Sequence, residues 1–100
     1  MRQFFISILV MTASILTAGA STIIEQADSA YMADDFAMAA SLYNKVIAEE
    51  GTSATLYYNL GNCYYRLGQP GKAIVAYERS LRLDPTSADT RDNLDFVNER

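Results

Sequence analysis

The sequence predicts an all-α fold of short paired helices, and two observations favour that fold class. Residues 54–85 hold two amphipathic segments on either side of a Leu-Gly-Gln-Pro turn, in which apolar residues recur three or four positions apart, as on one face of a helix. Those faces comprise Tyr57, Leu60, Gly61 and Tyr64 in the first segment, and Ala73, Ile74, Tyr77 and Leu81 in the second. Composition agrees, because five Gly and two Pro among 100 residues, half of them apolar, argue against a disordered or β-rich chain.

Gly61 stands in the middle of the first predicted helix, where glycine costs about 1 kcal/mol relative to alanine. We expect this glycine to permit close approach of the second helix, with Ala73 lying against it. The second helix should end at Asp84, because the residue before Pro85 is pushed out of the α region.

The order Tyr-x2-Leu-Gly-x2-Tyr, then Ala-x3-Tyr, then Pro resembles the tetratricopeptide repeat, a helix–turn–helix unit of 34 residues. The resemblance implies a domain over residues 21–100, with a degenerate repeat at 21–53, a clear repeat at 54–87 and a terminal capping helix at 88–100. A shift of 34 residues supports the first repeat, since it places Tyr43 at the position of Tyr77.

Local signals place the helices of the first repeat. Thr22-x-x-Glu25 is typical of a capping box, which would begin a helix at about residue 23. Asp34 and Asp35 should end that helix and cap a second one over residues 36–49.

The terminal helix is predicted to cover the apolar edge of the clear repeat. In register, Asp95 occupies the place of Gly61, and a carboxylate there faces water better than a partner helix. The alternatives are the start of a third repeat, or a helix whose Phe96 and Val97 dock onto another copy of the chain.

Charge and residue counts exclude several classes of function. The net charge of −4 leaves no basic patch for nucleic acid. The absence of His, with a single cysteine at Cys63, removes intramolecular disulfides, Cys/His zinc sites and His-based catalysis. We therefore predict neither an enzyme nor a cofactor or metal site, and a partner that is a protein or peptide.

The N-terminus resembles a secretory signal peptide over residues 1–20. Arg2 precedes an apolar stretch, and Ala18 and Ala20 are the small residues that a signal peptidase requires. The alternative is an uncleaved anchor in the inner membrane over residues 3–24, which carry no charge before Glu25. Both alternatives predict that the remainder lies outside the cytoplasm, in the periplasm or cell envelope, and that membrane contact involves this segment alone.

The resemblance also implies where a partner would bind, because the first helix of each such repeat lines a concave groove. The residues predicted to line it are Asp28, Tyr58, Asn59, Asn62, Tyr65, Arg66 and Asn93. Amides can pair with any peptide backbone, and tyrosines offer flat contact area with few rotatable bonds. The alternative is that these side chains only cover a half-exposed helix face. A clamp for chaperone carboxylates is excluded, since its cations are missing at the matching positions.

A narrower resemblance joins the signal segment to Tyr57-Tyr58-Asn59-Leu60-Gly61-Asn62 and to Ala76-Tyr77-Glu78-Arg79. Together these look like the repeat proteins of bacterial aerotolerance (Bat) operons, which implies an envelope scaffold. The sequence thus predicts an exported protein–protein interaction module or scaffold. A self-assembling structural subunit, and hence a homo-oligomer, is the alternative.

Export generates a direct prediction. If the peptidase cleaves after Ala20, the mature chain should begin at Ser21, and mass spectrometry of the exported protein measures this. An intact species that retains Met1 in the membrane would contradict cleavage and favour the anchor.

Overall fold

The computed structural model describes residues 19–99, which form five helices and no strand. The helices are α1 (Gly19–Met32), α2 (Phe36–Glu50), α3 (Ala54–Arg66), α4 (Pro70–Leu83) and α5 (Ala88–Asn98). Each helix packs against the next one along the chain, so that α1–α2 and α3–α4 form successive hairpins and α5 lies against α4. The predicted all-α fold is confirmed over this part of the chain.

Side-chain caps fix where most of these helices begin. The capping residues are Asp35 for α2, Ser53 for α3 and Ser87 for α5, with oxygen-to-amide distances of 3.2, 3.1 and 3.3 Å. In α4 the first position is held by Pro70, whose missing amide hydrogen needs no partner there. The predicted capping box at Thr22 is wrong, because α1 has already begun at Gly19.

The two hairpin turns share one backbone geometry. Asp34 and Gly68 lie 34 positions apart and both adopt left-handed conformations, with φ of 61° and 74°. The residue after each donates its amide hydrogen back into the preceding helix, Asp35 to Ala30 at 2.9 Å and Gln69 to Tyr64 at 2.8 Å. Glycine adopts this conformation freely and aspartate only at a cost, so the first turn keeps its shape against the preference of its residue.

Two clusters of buried side chains form the core. The larger one joins the first three helices and α4 through Ala27, Phe36, Ala39, Ala40, Tyr43, Leu60, Cys63 and Ala76. The smaller one contains Ala73, Tyr77 and Val97, and thus ties α5 to α4. Because Val97 belongs to this cluster, the alternative in which it docks onto another copy is wrong for that residue.

Gly61 does allow a close approach, but not by the residue predicted. A Cβ atom built at Gly61 would lie 2.8 Å from Cζ of Tyr77 and nearer still to two other atoms of that ring. The expected contact was Ala73, yet the long aromatic side chain one turn further along α4 fills the space. Glycine is therefore required by the buried ring of Tyr77.

Most of the predicted targeting segment lies outside the described residues. Ala18 is among those not described, whereas Ala20 belongs to the first turn of α1. Within residues 19–99, no helix combines the length and the apolar character needed to cross a bilayer.

The Gly61 contact predicts a stability difference between two glycines. Gly61→Ala should lower the free energy of unfolding by about 1–3 kcal/mol, because Tyr77 is buried and cannot make room. Gly71→Ala is the matched control, since a Cβ there meets nothing within 4 Å and α4 should gain up to about 1 kcal/mol. Urea unfolding measures both, and equal losses would contradict the steric role of Gly61.

Candidate functional site

A tyrosine hydroxyl in each hairpin is held by residues of neighbouring helices. In the first hairpin, the hydroxyl of Tyr43 donates to Oδ1 of Asp28 at 2.5 Å. The same oxygen accepts from Nδ2 of Asn59 at 3.5 Å. This network joins α2 to both α1 and α3.

The second hairpin contains the corresponding network 34 residues later. The hydroxyl of Tyr77 donates to Oδ1 of Asn62 at 2.5 Å. That oxygen also accepts from Nδ2 of Asn93 at 3.0 Å, and Nδ2 of Asn93 lies 3.4 Å from the hydroxyl of Tyr58. Three helices, α3, α4 and α5, are therefore joined through one amide oxygen.

Both buried tyrosines remain protonated donors. Burial is the main cause that raises the pKa of Tyr43, and the adjacent carboxylate of Asp28 raises it further. Burial likewise raises the pKa of Tyr77 well above its ordinary value. The hydroxyl protons are thus retained through the physiological range, and the networks do not switch with pH there.

A pocket of about 310 Å³ lies over the second network, and we call it the amide pocket. It is lined by Tyr31, Asn62, Tyr65, Arg66, Tyr77, Asn93, Phe96 and Val97. The rings of Tyr65 and Phe96 meet edge to face with centroids 5.7 Å apart, which forms one wall. The guanidinium of Arg66 stands 4.5 Å from the ring centroid of Phe36, which fixes a cation at the rim.

Four of the predicted groove residues line this pocket, namely Asn62, Tyr65, Arg66 and Asn93. The other three lie elsewhere. Asp28 and Asn59 bind the hydroxyl of Tyr43, and Tyr58 lines a separate cavity of about 210 Å³ between α3, α4 and α5. Their role in binding a peptide stays a prediction.

One expectation about these amides is wrong. Asn59 and Asn62 were expected to point away from the core, so that removing them would leave the melting temperature unchanged. Both instead bond to hydroxyls of buried tyrosines, and each therefore contributes to the fold. The floor residue Tyr77 was missed as part of the site, although the 34-residue recurrence of Asp28 at Asn62 and of Asn59 at Asn93 could have indicated a shared partner.

Cys63 is more deeply placed than its expected position between the core and the groove. Its side chain is 0% exposed, and burial raises the pKa of its thiol to about 11. A disulfide to a second chain would need this part of α3 to open. The buried thiol therefore acts as a small apolar core residue.

No metal centre is formed by the side chains that the structure describes. Within residues 23–99, no three His, Cys, Asp or Glu side chains are grouped so that they could hold an ion. The carboxylates of Asp89, Asp92 and Asp95 are exposed along α5.

The raised pKa of Cys63 predicts the onset of alkaline destabilisation. The folded protein holds the thiol proton up to about pH 11 and the unfolded chain releases it near 9.0, so stability is complete below pH 9 and falls between these values. In Cys63→Ala the decline should begin only near pH 10, where the tyrosines of the unfolded chain ionise. Urea unfolding at a series of pH values measures this, and identical profiles for the two proteins would contradict it.

Comparisons with known proteins agree with this architecture. Residues 54–87 match the family model described as the tetratricopeptide repeat. Over 70 residues, 70% of the chain, the sequence is 33% identical to "Protein SGT1 homolog" of Oryza sativa subsp. japonica, and it spans only 19% of that relative's length. Tetratricopeptide repeats are generally protein-interaction modules rather than enzymes. The hairpin of α3 and α4 is therefore a tetratricopeptide repeat, and the chain contains an element of that interaction-module class.

Proposed function

We propose that this chain is an exported protein-interaction module that binds a short peptide segment in the amide pocket. The tetratricopeptide repeat supports the general class of function, since repeats of this kind stack into extended binding surfaces. The amide pocket supports the place, because α1, α3, α4 and α5 all contribute side chains to it.

The observation that carries the proposal is the hydrogen-bonding state of two asparagines. Oδ1 of Asn62 accepts two hydrogen bonds, so its amide hydrogens are the atoms left to donate to a ligand. Nδ2 of Asn93 directs its two hydrogens to Tyr58 and Asn62, so its Oδ1 is left to accept. A peptide unit carries one acceptor and one donor, which is the complementary set.

The remainder of the pocket favours particular side chains in the ligand. Tyr31, Tyr65 and Phe96 offer aromatic surface for an apolar or aromatic residue. Arg66 supplies the charge at the rim, and no carboxylate lines the pocket, so an acidic residue beside the apolar one fits. At about 310 Å³ the pocket suits one or two residues and not a long segment.

We place this module in the cell envelope. The apolar N-terminal segment with Ala18 and Ala20 supports export to the periplasm, and anchoring in the inner membrane by residues 3–24 is the alternative. The resemblance to repeat proteins of aerotolerance operons supports a scaffold role there. The partner would then be another envelope protein that presents an exposed acidic and apolar segment.

Asn62→Asp tests the pocket without dismantling the fold. Aspartate keeps the oxygen that accepts from Tyr77 and Asn93, and Asp28 already fills the equivalent role for Tyr43. It removes the amide donors and adds a negative charge, so peptides selected on the full chain from a phage-displayed random library should bind at least about tenfold more weakly. Fluorescence anisotropy measures the Kd values.

The matched control is Asn98→Asp, the same change at an exposed position of α5 outside the pocket lining. Its affinity for the selected peptides should equal that of the wild type. If Asn62→Asp melts normally and binds with unchanged affinity, or if the library yields no binder, the amide pocket is not the site.

A further inference from the structure

A second and larger cavity lies on the other side of α3, with a volume of about 550 Å³. We call it the cationic groove. It is lined by Asn44 of α2, by Tyr57, Leu60 and Tyr64 of α3, and by Gly71, Lys72, Val75, Ala76 and Arg79 of α4. At about 100° per residue, the α3 positions that line this groove are on the face opposite those that line the amide pocket, and the two cavities share no residue.

The groove carries two cations and no carboxylate. Nζ of Lys72 stands 5.6 Å from the ring centroid of Tyr64, and Cζ of Arg79 stands 5.8 Å from that of Tyr57. Their positions on α4 are seven residues apart, which is about two helical turns or roughly 10 Å. In a chain of net charge −4, this surface has the opposite sign to the molecule as a whole.

Apolar surface lies open between the two cations. Val75 stands midway between them on α4 and is 45% exposed. Gly71 leaves further space, because a Cβ atom there would meet nothing within 4 Å. The amide of Asn44 donates to the hydroxyl of Tyr64 at 3.0 Å and so helps to hold that ring in place at the side of the groove.

We propose that the cationic groove binds an amphipathic helix of a separate protein, with two carboxylates about two turns apart and an apolar residue between them. The carboxylates would pair with Lys72 and Arg79, and the apolar residue would cover Val75. A helix laid into a groove between two helices is a common mode of peptide recognition. The chain's own residues 1–18 do not fit, since they contain Arg2 and no Asp or Glu.

The test uses the full chain and a phage-displayed library of helical peptides randomised among Glu, Lys, Leu, Ala and Gln. The selected clones should carry Glu residues seven positions apart with Leu between them. Their affinity should fall at least about tenfold on Lys72→Glu combined with Arg79→Glu, because attraction becomes like-charge repulsion. Arg82→Glu is the matched control, since it reverses a charge on the same helix outside the groove lining and should leave affinity unchanged.

A second variant separates loss of binding from loss of folding. Gly71→Leu fills the groove at a helical position with open space, so it should block the same peptides while α4 stays folded. Asn62→Asp should not affect them, which keeps this result independent of the amide pocket. Selected peptides without the spaced carboxylates, no selected peptide, or unchanged binding to both groove variants would overturn the proposal. Self-association of the wild type that the double charge reversal abolishes would also overturn it, since a second copy would then be the occupant.

Discussion

The structure depends on one buried tyrosine in each hairpin. In the second hairpin the ring of Tyr77 occupies the space that Gly61 leaves open, and its hydroxyl donates to Asn62. A buried hydroxyl without a partner would cost about 1–3 kcal/mol, so the polar residue on the adjacent helix is as necessary as the glycine. Tyr43 and Asp28 repeat the arrangement in the first hairpin, where Ala27 replaces the glycine and remains fully buried. The packing distance and the register of neighbouring helices are thus set together by a single side chain.

Much of the fold could be predicted from the sequence, because helix periodicity and turn signals are local. Gly68 and Pro70 marked the turn between α3 and α4, and Asp34 with Asp35 marked the equivalent turn before α2. The start of α1 could not be predicted in this way. The spacing of Thr22 and Glu25 was compatible with a cap, but a cap signal does not stop a helix from extending further towards the N-terminus.

The candidate site was less accessible to sequence reasoning, because its chemistry depends on contacts between helices. The spacing placed Asn59 and Asn62 near one face of α3, but it could not show that Tyr43 and Tyr77 reach them. The cationic groove was missed for a similar reason. Lys72 and Arg79 read as ordinary solvent-facing charges until the rings of Tyr64 and Tyr57 were found beneath them. A third helix has to be in place before either surface exists.

The composition of the amide pocket has a mechanical consequence. In a stack where each helix packs chiefly on its neighbours, the two ends can loosen separately, and α1 is joined to the rest mainly through α2. Tyr31 belongs to α1 and Phe96 to α5, yet both line the same pocket. An occupant would therefore bridge the first and last helices directly, like a strut across an open arch. Slower amide hydrogen exchange would then reach both ends of the stack at once, although no contact along the chain connects them.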